Sequence, residues 1–161
     1  MLPQFLWPIQ GNDKEYDRIL VRESLGHAKS LATAFLLYAA DNDDRLPLAE
    51  NWADAVQPYL NNYDAFLTAW PRTSPTRFAF FEELSGVKTF EVMNPTSVPL
   101  VFESSSHEKN AHGGLEMAAW RGEMGCAVGF LDTSARFMPK SWSLESVFVE
   151  ITPTEDDTES D

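Results

Sequence analysis

Cysteine is nearly absent from this chain. Cys126 is the one cysteine among 161 residues, which excludes an internal disulfide. It lies in the apolar run 126–131, and no basic residue flanks it to stabilise a thiolate. We therefore expect a buried, unreactive thiol at this position and not a catalytic nucleophile.

Basic residues are also scarce. The chain has 12 Lys and Arg against 25 Asp and Glu, so its formal net charge is -13. A polyanion is repelled by phosphate backbones and by anionic lipid surfaces, which argues against nucleic acid as a partner. Part of the negative charge lies in residues 154–161, which lack apolar side chains and are predicted to form a disordered acidic tail.

Long apolar runs are missing. The longest, Leu31–Ala40, is about half of the roughly 20 residues that a membrane-spanning helix needs. The opening segment, Met1–Pro8, is apolar but short and contains prolines, and it lacks the basic region and cleavage site of a signal peptide. Neither segment predicts a membrane span.

Motifs of zinc sites are absent as well. Neither HExxH nor CxxC occurs. His107 and His112 lie near Glu108 and Glu116, but their spacing is less regular than that of zinc ligands. A surface loop is the better interpretation of these four residues.

Serine-hydrolase signals are equally weak. A Ser-His-Asp triad can be assembled on paper from residues 104–106 (Ser104, Ser105 and Ser106), His107 and Asp132. The GxSxG motif that marks a nucleophile elbow is absent, and serine runs in loops are usually turns. We therefore predict that the protein is not an enzyme and has no catalytic or cofactor-binding residues.

A long helix is the strongest feature that is present. Residues 12–40 are predicted as one helix, with Asn12 or Asp13 as the N-cap. Its first half is mostly polar and predicted exposed, and its second half is apolar and predicted buried. Gly26, in the middle, indicates a bend or a close contact. The predicted buried face comprises Ala28, Leu31, Ala32, Phe35 and Ala39.

Extended segments follow the helix. After an acidic turn at 41–44, residues 50–60 predict a short second helix, and residues 104–124 predict a long loop. Asp132–Ser134 predicts a hairpin turn. The predicted strands are Arg77–Phe81, Val98–Glu103, Cys126–Asp132, Ala135–Pro139 and Val147–Ile151. This order predicts an α+β fold with one helix on an antiparallel sheet, in a single domain over residues 1–153, with the sheet region at about 77–151.

Several short motifs, in order, resemble a family of bacterial pilin-like proteins related to type IV pilins and type II secretion pseudopilins. In that family, a tract similar to LYAxDNDGRLP closes the long helix, and a Trp, a PYL, a CP dipeptide and an aromatic strand follow. The resemblance covers about residues 22–139. The matching segments here are Leu36–Pro47, Trp52, Pro58–Leu60, Trp70–Pro71, Phe78–Phe81, Leu84–Gly86, Asn94–Glu103 and Asn110–Gly114.

The C-terminal signature of this family, H-x9-DG preceded by arginine, is degenerate here. Arg121 occupies the arginine position and Asp132 the aspartate position. Gly122 replaces the histidine and Thr133 replaces the glycine. The strand-turn-strand pattern survives, while any role of that histidine is lost.

The resemblance implies a pilin-like fold and a non-catalytic role as the head of a filament subunit. The implied partners are other pilin-like subunits or secretion machinery, in an extracytoplasmic location, with membrane contact only through an N-terminal helix that this chain lacks. Residues 2–8 are compatible with the end of such a helix. A free-standing binding module derived from the same fold is the alternative.

A metal site is the last possibility that the sequence raises. The weak candidate ligands are Asp41 and Asp43 in the acidic turn and Asp132 at the aspartate position of the signature. The resemblance makes calcium the metal to consider, since calcium occurs in major type II pseudopilins. Arg45 and Leu46 do not fit the pattern of an EF-hand loop. We expect a solvated turn and no bound metal or cofactor.

Overall fold

The long helix is the largest element. The computed structural model describes residues 10–70, 74–121, 125–143 and 149–152. Helix α1, Gln10–Asp41, has 32 residues and is therefore about 48 Å long. It confirms the helix predicted at 12–40 and continues one residue further at its C-terminal end. Among the described residues, no helix combines the length and the apolar character that a membrane crossing requires.

A five-stranded mixed sheet lies against α1, so the fold is α+β as predicted. The strand order is β3-β1-β2-β4-β5. Each neighbouring pair is antiparallel except β1 and β3, which run parallel. The strands are β1 Phe78–Phe81, β2 Pro99–Glu103, β3 His112–Gly113, β4 Cys126–Phe130 and β5 Ala135–Met138.

Strand β3 corrects two predictions, the purely antiparallel sheet and the long loop at 104–124. The backbone N–H of Phe80 donates to the carbonyl of Ala111 at 2.9 Å, and the indole Nε1 of Trp52 donates to the same carbonyl at 2.8 Å. Segment 111–113 thus provides hydrogen-bond partners for backbone groups along the outer edge of β1. It is too short to show a strand pattern in the sequence, and a 3-10 helix follows at Leu115–Met117.

The fifth predicted strand, Val147–Ile151, is not found as a strand in the part of it that the structure describes. Ile151 forms an isolated bridge with Val92 outside the sheet. Residues 144–148 lie outside the described residues, as do the predicted acidic tail 154–161 and the apolar segment 2–8. The predicted second helix at 50–60 is interrupted: helix α2, Trp52–Val56, lies between 3-10 turns at Ala49–Asn51 and Gln57–Tyr59.

The predicted buried face of α1 is confirmed, since all five of its residues are at most 2% exposed. Phe35 stacks on Trp52 with ring centroids 5.4 Å apart and contacts Phe80 at 4.9 Å. This aromatic group joins α1, α2 and β1 into one core. The second half is not buried all round as predicted: Leu37 is 49% exposed, and Lys29, Ser30, Thr33 and Ala40 are exposed as well.

Close contact between α1 and the sheet depends on a glycine of the sheet, and Gly26 plays no part in it. A Cβ added to Gly129 of β4 would lie 2.8 Å from the carbonyl oxygen of Ala28. A Cβ at Gly26 would meet no atom within 4 Å, which corrects the predicted close contact there. The helix backbone therefore lies directly on β4.

Candidate functional site

A buried polar cluster lies between α1 and the sheet. The carboxylate of Glu103, at the end of β2, is fully buried. It accepts hydrogen bonds from the hydroxyl of Ser24 at 3.0 Å, from Nη2 of Arg121 at 2.5 Å and from the backbone N–H of Ala127 at 2.9 Å. One side chain thus connects α1, β2, β4 and the segment that precedes β4.

The electrostatics of this cluster are those of a closed structural ion pair. Burial raises the pKa of Glu103, and the charge of Arg121 opposes that shift. Burial, with a smaller contribution from the charge of Glu103, also raises the pKa of the Cys126 thiol. Cys126 is therefore buried and protonated, as the sequence predicts. Because water does not reach Glu103, the cluster offers no open reaction site, and removal of Arg121 would leave a buried charge without its partner.

The sequence analysis did not predict the ion pair between Glu103 and Arg121. It placed Glu103 in a strand, and it identified Arg121 only as the arginine of the C-terminal family signature. The available signal was a glutamate at the end of the apolar run 98–103. A buried carboxylate requires a cation, and Arg121 is the only residue that forms an ion pair with Glu103 in the described part of the chain.

The candidate metal ligands are engaged in local structure. The Asp41 carboxylate accepts a hydrogen bond from the Tyr59 hydroxyl at 2.7 Å. Asp43 is in the left-handed region with φ of 56°, at the end of α1. Asp132 Oδ1 accepts bonds from the backbone N–H and hydroxyl of Ser134 at 3.0 and 2.6 Å, which closes the hairpin turn. Within the described ranges, no group of three or more His, Cys, Asp or Glu side chains could hold a metal ion.

The serine and histidine candidates also bond to nearby backbone. The Ser104 hydroxyl donates to the carbonyl of Arg77 at 2.7 Å, and the Ser106 hydroxyl accepts from the N–H of Glu108 at 3.0 Å. His112 Nδ1 lies 2.9 Å from the carbonyl of Asn110. The Ser106 hydroxyl bonds within a local turn, whereas the Ser104 hydroxyl joins the residue after β2 to the residue before β1. His107 lies exposed beside them.

The N-terminal half of α1, defined here as residues 14–23, presents an accessible surface with the exception of Leu20, which is buried. Residues 14–19 are all exposed, including Tyr16 at 39% and Ile19 at 48%. Tyr16 packs edge-on against Trp70, itself part of this surface, with ring centroids 6.2 Å apart. A shallow groove of about 520 Å³ runs along this half, lined by Asp17, Arg18, Val21, Arg22 and Leu25. The surface combines charges of both signs with apolar side chains, which suits contact with another protein.

Known proteins offer no counterpart to this arrangement, since no protein-family model, no curated protein and no solved structure matches the chain. The likeness to pilin-like proteins therefore rests on the sequence motifs alone. The function must be argued from the surfaces and cavities of the molecule itself.

Proposed function

We propose that the protein is a non-catalytic structural subunit, the pilin-like head of a type IV pilus or a type II secretion-type filament, located outside the cytoplasm. The observation that carries this proposal is the division of α1 into a C-terminal half with one face buried on the sheet and an N-terminal stretch, residues 14–19, in which every residue is exposed. A helix that extends in this way offers a long contact surface to a neighbouring subunit. The ordered series of motifs at residues 22–139 supports the same assignment.

The charges on the N-terminal half of α1 suit contact between copies of the chain. Both signs occur along it, three positive and three negative, in Lys14, Glu15, Asp17, Arg18, Arg22 and Glu23. Opposite charges on one helix allow two copies to pair in a staggered arrangement, which sets orientation more than affinity. Tyr16 and Ile19 add apolar area that remains accessible in the single chain.

The candidate catalytic side chains already form hydrogen bonds within the protein, which favours a role without catalysis. The hydroxyls of Ser104 and Ser106, the carboxylate of Asp132 and the thiol of Cys126 each bond to nearby groups. A reactive constellation needs a nucleophile and a base within hydrogen-bond distance of each other and of open space. None of the sequence-derived candidates meets that requirement among the described residues.

Photo-cross-linking in cells that make the protein from its own gene tests this proposal. A photoreactive residue is placed at Asp17, in the groove on α1, or at Glu83, an exposed control position on a 3-10 turn far along the chain. Filaments are then sheared from the cells and collected. We expect adducts with copies of this chain, or with other pilin-like subunits, from Asp17 and not from Glu83.

Two results would contradict the proposal. One is that the protein is missing from the sheared filaments while it remains abundant and monomeric elsewhere, which would favour the free-standing binding module. The other is a turnover that a single substitution, such as His107→Ala, removes without unfolding the chain.

A further inference from the structure

A small pocket with basic side chains lies beside the start of β1, away from the contact surface on α1. Its volume is about 390 Å³, within the usual range of small-ligand sites. It combines two cationic residues with two aromatic rings in a chain of net charge -13. The lining residues are Gln57, Tyr63, Phe66, Leu67, Arg77 and Lys109.

Arg77 is held rigidly in this pocket. Its backbone N–H donates to the carbonyl of Ser106 at 2.9 Å, and its carbonyl accepts from the N–H and hydroxyl of Ser104 at 3.1 and 2.7 Å. Its guanidinium lies over the Phe66 ring, 5.7 Å from the centroid. These bonds fix the backbone of Arg77, and the ring contact orients its guanidinium.

No carboxylate among the described residues forms an ion pair with Arg77. Its Nε atom is buried and has no hydrogen-bond partner among the described residues. Burial lowers the pKa of this guanidinium, which records the cost of removing the charge from water. Arg121 differs in this respect, because its guanidinium pairs with the carboxylate of Glu103. An anionic ligand at Arg77 would supply the missing counter-charge.

The second cation, Lys109, already has a counter-charge. Its ammonium pairs with the carboxylate of Asp54, which also accepts a hydrogen bond from the Asn110 amide at 3.2 Å. Among the described residues, the pocket with Asp54 therefore has one positive charge without a counter-charge, that of Arg77. One such charge in a strongly acidic chain favours a ligand with a single negative charge, because a polyanion would be repelled by the rest of the molecule.

We propose that this pocket binds the carboxylate of a monoanionic ligand that has an aromatic or other apolar body. The terminal nitrogens of Arg77 hold the carboxylate, and Gln57 and Lys109 offer further donors at the pocket wall. The rings of Phe66 and of Tyr63, which is 59% exposed, contact the apolar body. This inference does not depend on the proposed filament role, and either one can fail alone.

N-acetylphenylalanine is the probe for this site, and N-acetylphenylalaninamide is the uncharged control. Binding to the full chain is measured by titration with detection by two-dimensional NMR. We expect millimolar binding of the acid, with shifts at the pocket residues, and at least tenfold weaker binding of the amide. Arg77→Gln should weaken binding of the acid at least tenfold. Arg136→Gln should leave it unchanged, although Arg136 also lies over a phenyl ring, that of Phe130, at 3.9 Å.

Three results would overturn the proposal. The acid and the amide bind equally well, the Arg77→Gln variant binds the acid as well as the parent does, or the acid does not bind at about 50 mM, a concentration that detects weak association. If Arg77→Gln does not fold, Tyr63→Ala serves instead, because Tyr63 is exposed and its loss should weaken binding several-fold. An unchanged affinity of that variant would count against the site. The carboxylate could belong to the C-terminus of a peptide chain or to a free small molecule, and a hexapeptide ending in phenylalanine distinguishes the two. Binding as tight as that of the acid indicates a chain terminus, and weaker binding indicates a free small molecule.

Discussion

The two halves of α1 have the same backbone conformation but different surroundings. Residues 14–19 are exposed on all sides, whereas Ala28, Leu31 and Phe35 are fully buried against the sheet and α2. An isolated helix is marginal in water, so contacts made by the C-terminal half stabilise the whole element. The comparison shows that one half of α1 supports the fold and leaves the other half available for contact.

Truncating the buried half should have the largest effect. Phe35→Ala removes the ring that stacks on Trp52 and Phe80. We expect the free energy of unfolding to fall by about 3–5 kcal/mol, as for other buried aromatic truncations. Urea titration measures the change. Leu37→Ala on the exposed side of the same turn is the control, and equal losses in both variants would show that the assigned face is wrong.

Removing Arg121 should have the next largest effect. In Arg121→Met, Glu103 stays buried without its cation, and we expect a loss of about 3 kcal/mol near neutral pH. The double variant with Glu103→Gln should recover part of that loss, because no buried charge remains. A single variant as stable as the parent would contradict the ion pair.

The same site predicts a pH dependence. Because burial raises the pKa of Glu103, the folded chain binds this proton at a higher pH than the unfolded chain does. The contribution of this group to folding stability is therefore greatest at pH values below the ordinary glutamate pKa of about 4.5. That contribution decreases as the pH rises through the pKa of Glu103 in the folded chain. The penalty of Arg121→Met should shrink toward acidic pH. Chemical denaturation at several pH values tests this, and a constant penalty would argue against a charged Glu103.

The two glycines near Ala28 should respond in opposite directions to the same substitution. Gly129→Ala places a Cβ against the carbonyl of Ala28 and should cost about 1–3 kcal/mol. Gly26→Ala, on the open side of α1, should stabilise the protein by about 1 kcal/mol through helix propensity. Thermal denaturation compares them. Changes of the same sign would mean that α1 does not lie directly on β4.

Substitution in the exposed half should hardly affect folding. Asp17→Ala and Ile19→Ser remove accessible side chains, and we expect stability changes within about 0.5 kcal/mol. The same variants should weaken cross-linking between subunits in the filament fraction. Severe unfolding of either variant would show that this half is also part of the core.

Calcium should have the smallest effect. We expect the melting temperature to stay nearly constant in about 10 mM calcium, because a ligand that binds only the folded state must raise it. An upward shift that disappears in the double variant Asp41→Ala and Asp43→Ala would contradict this and identify the acidic turn as a site.

Features that depend on neighbouring residues in the chain were predictable. The buried face of α1 follows from spacings of three and four residues, and the hairpin at Asp132–Ser134 follows from turn residues between two apolar runs. β3 has only two residues, so it has no periodicity to detect. The Arg77 pocket joins side chains from four separate segments, and no local pattern relates them.

The sequence by itself determined where α1 lies, which of its faces is apolar, that most extended segments follow it and that no internal disulfide is possible. These properties depend on composition and on spacing within single segments. Only the tertiary structure decided that β3 joins β1 in parallel, that Gly129 admits the backbone of α1 and that Arg121 compensates Glu103. It also decided that no described carboxylate pairs with Arg77. Each of these contacts joins residues distant in the chain, and their free energies depend on burial and approach distance, which exist only once the chain has folded.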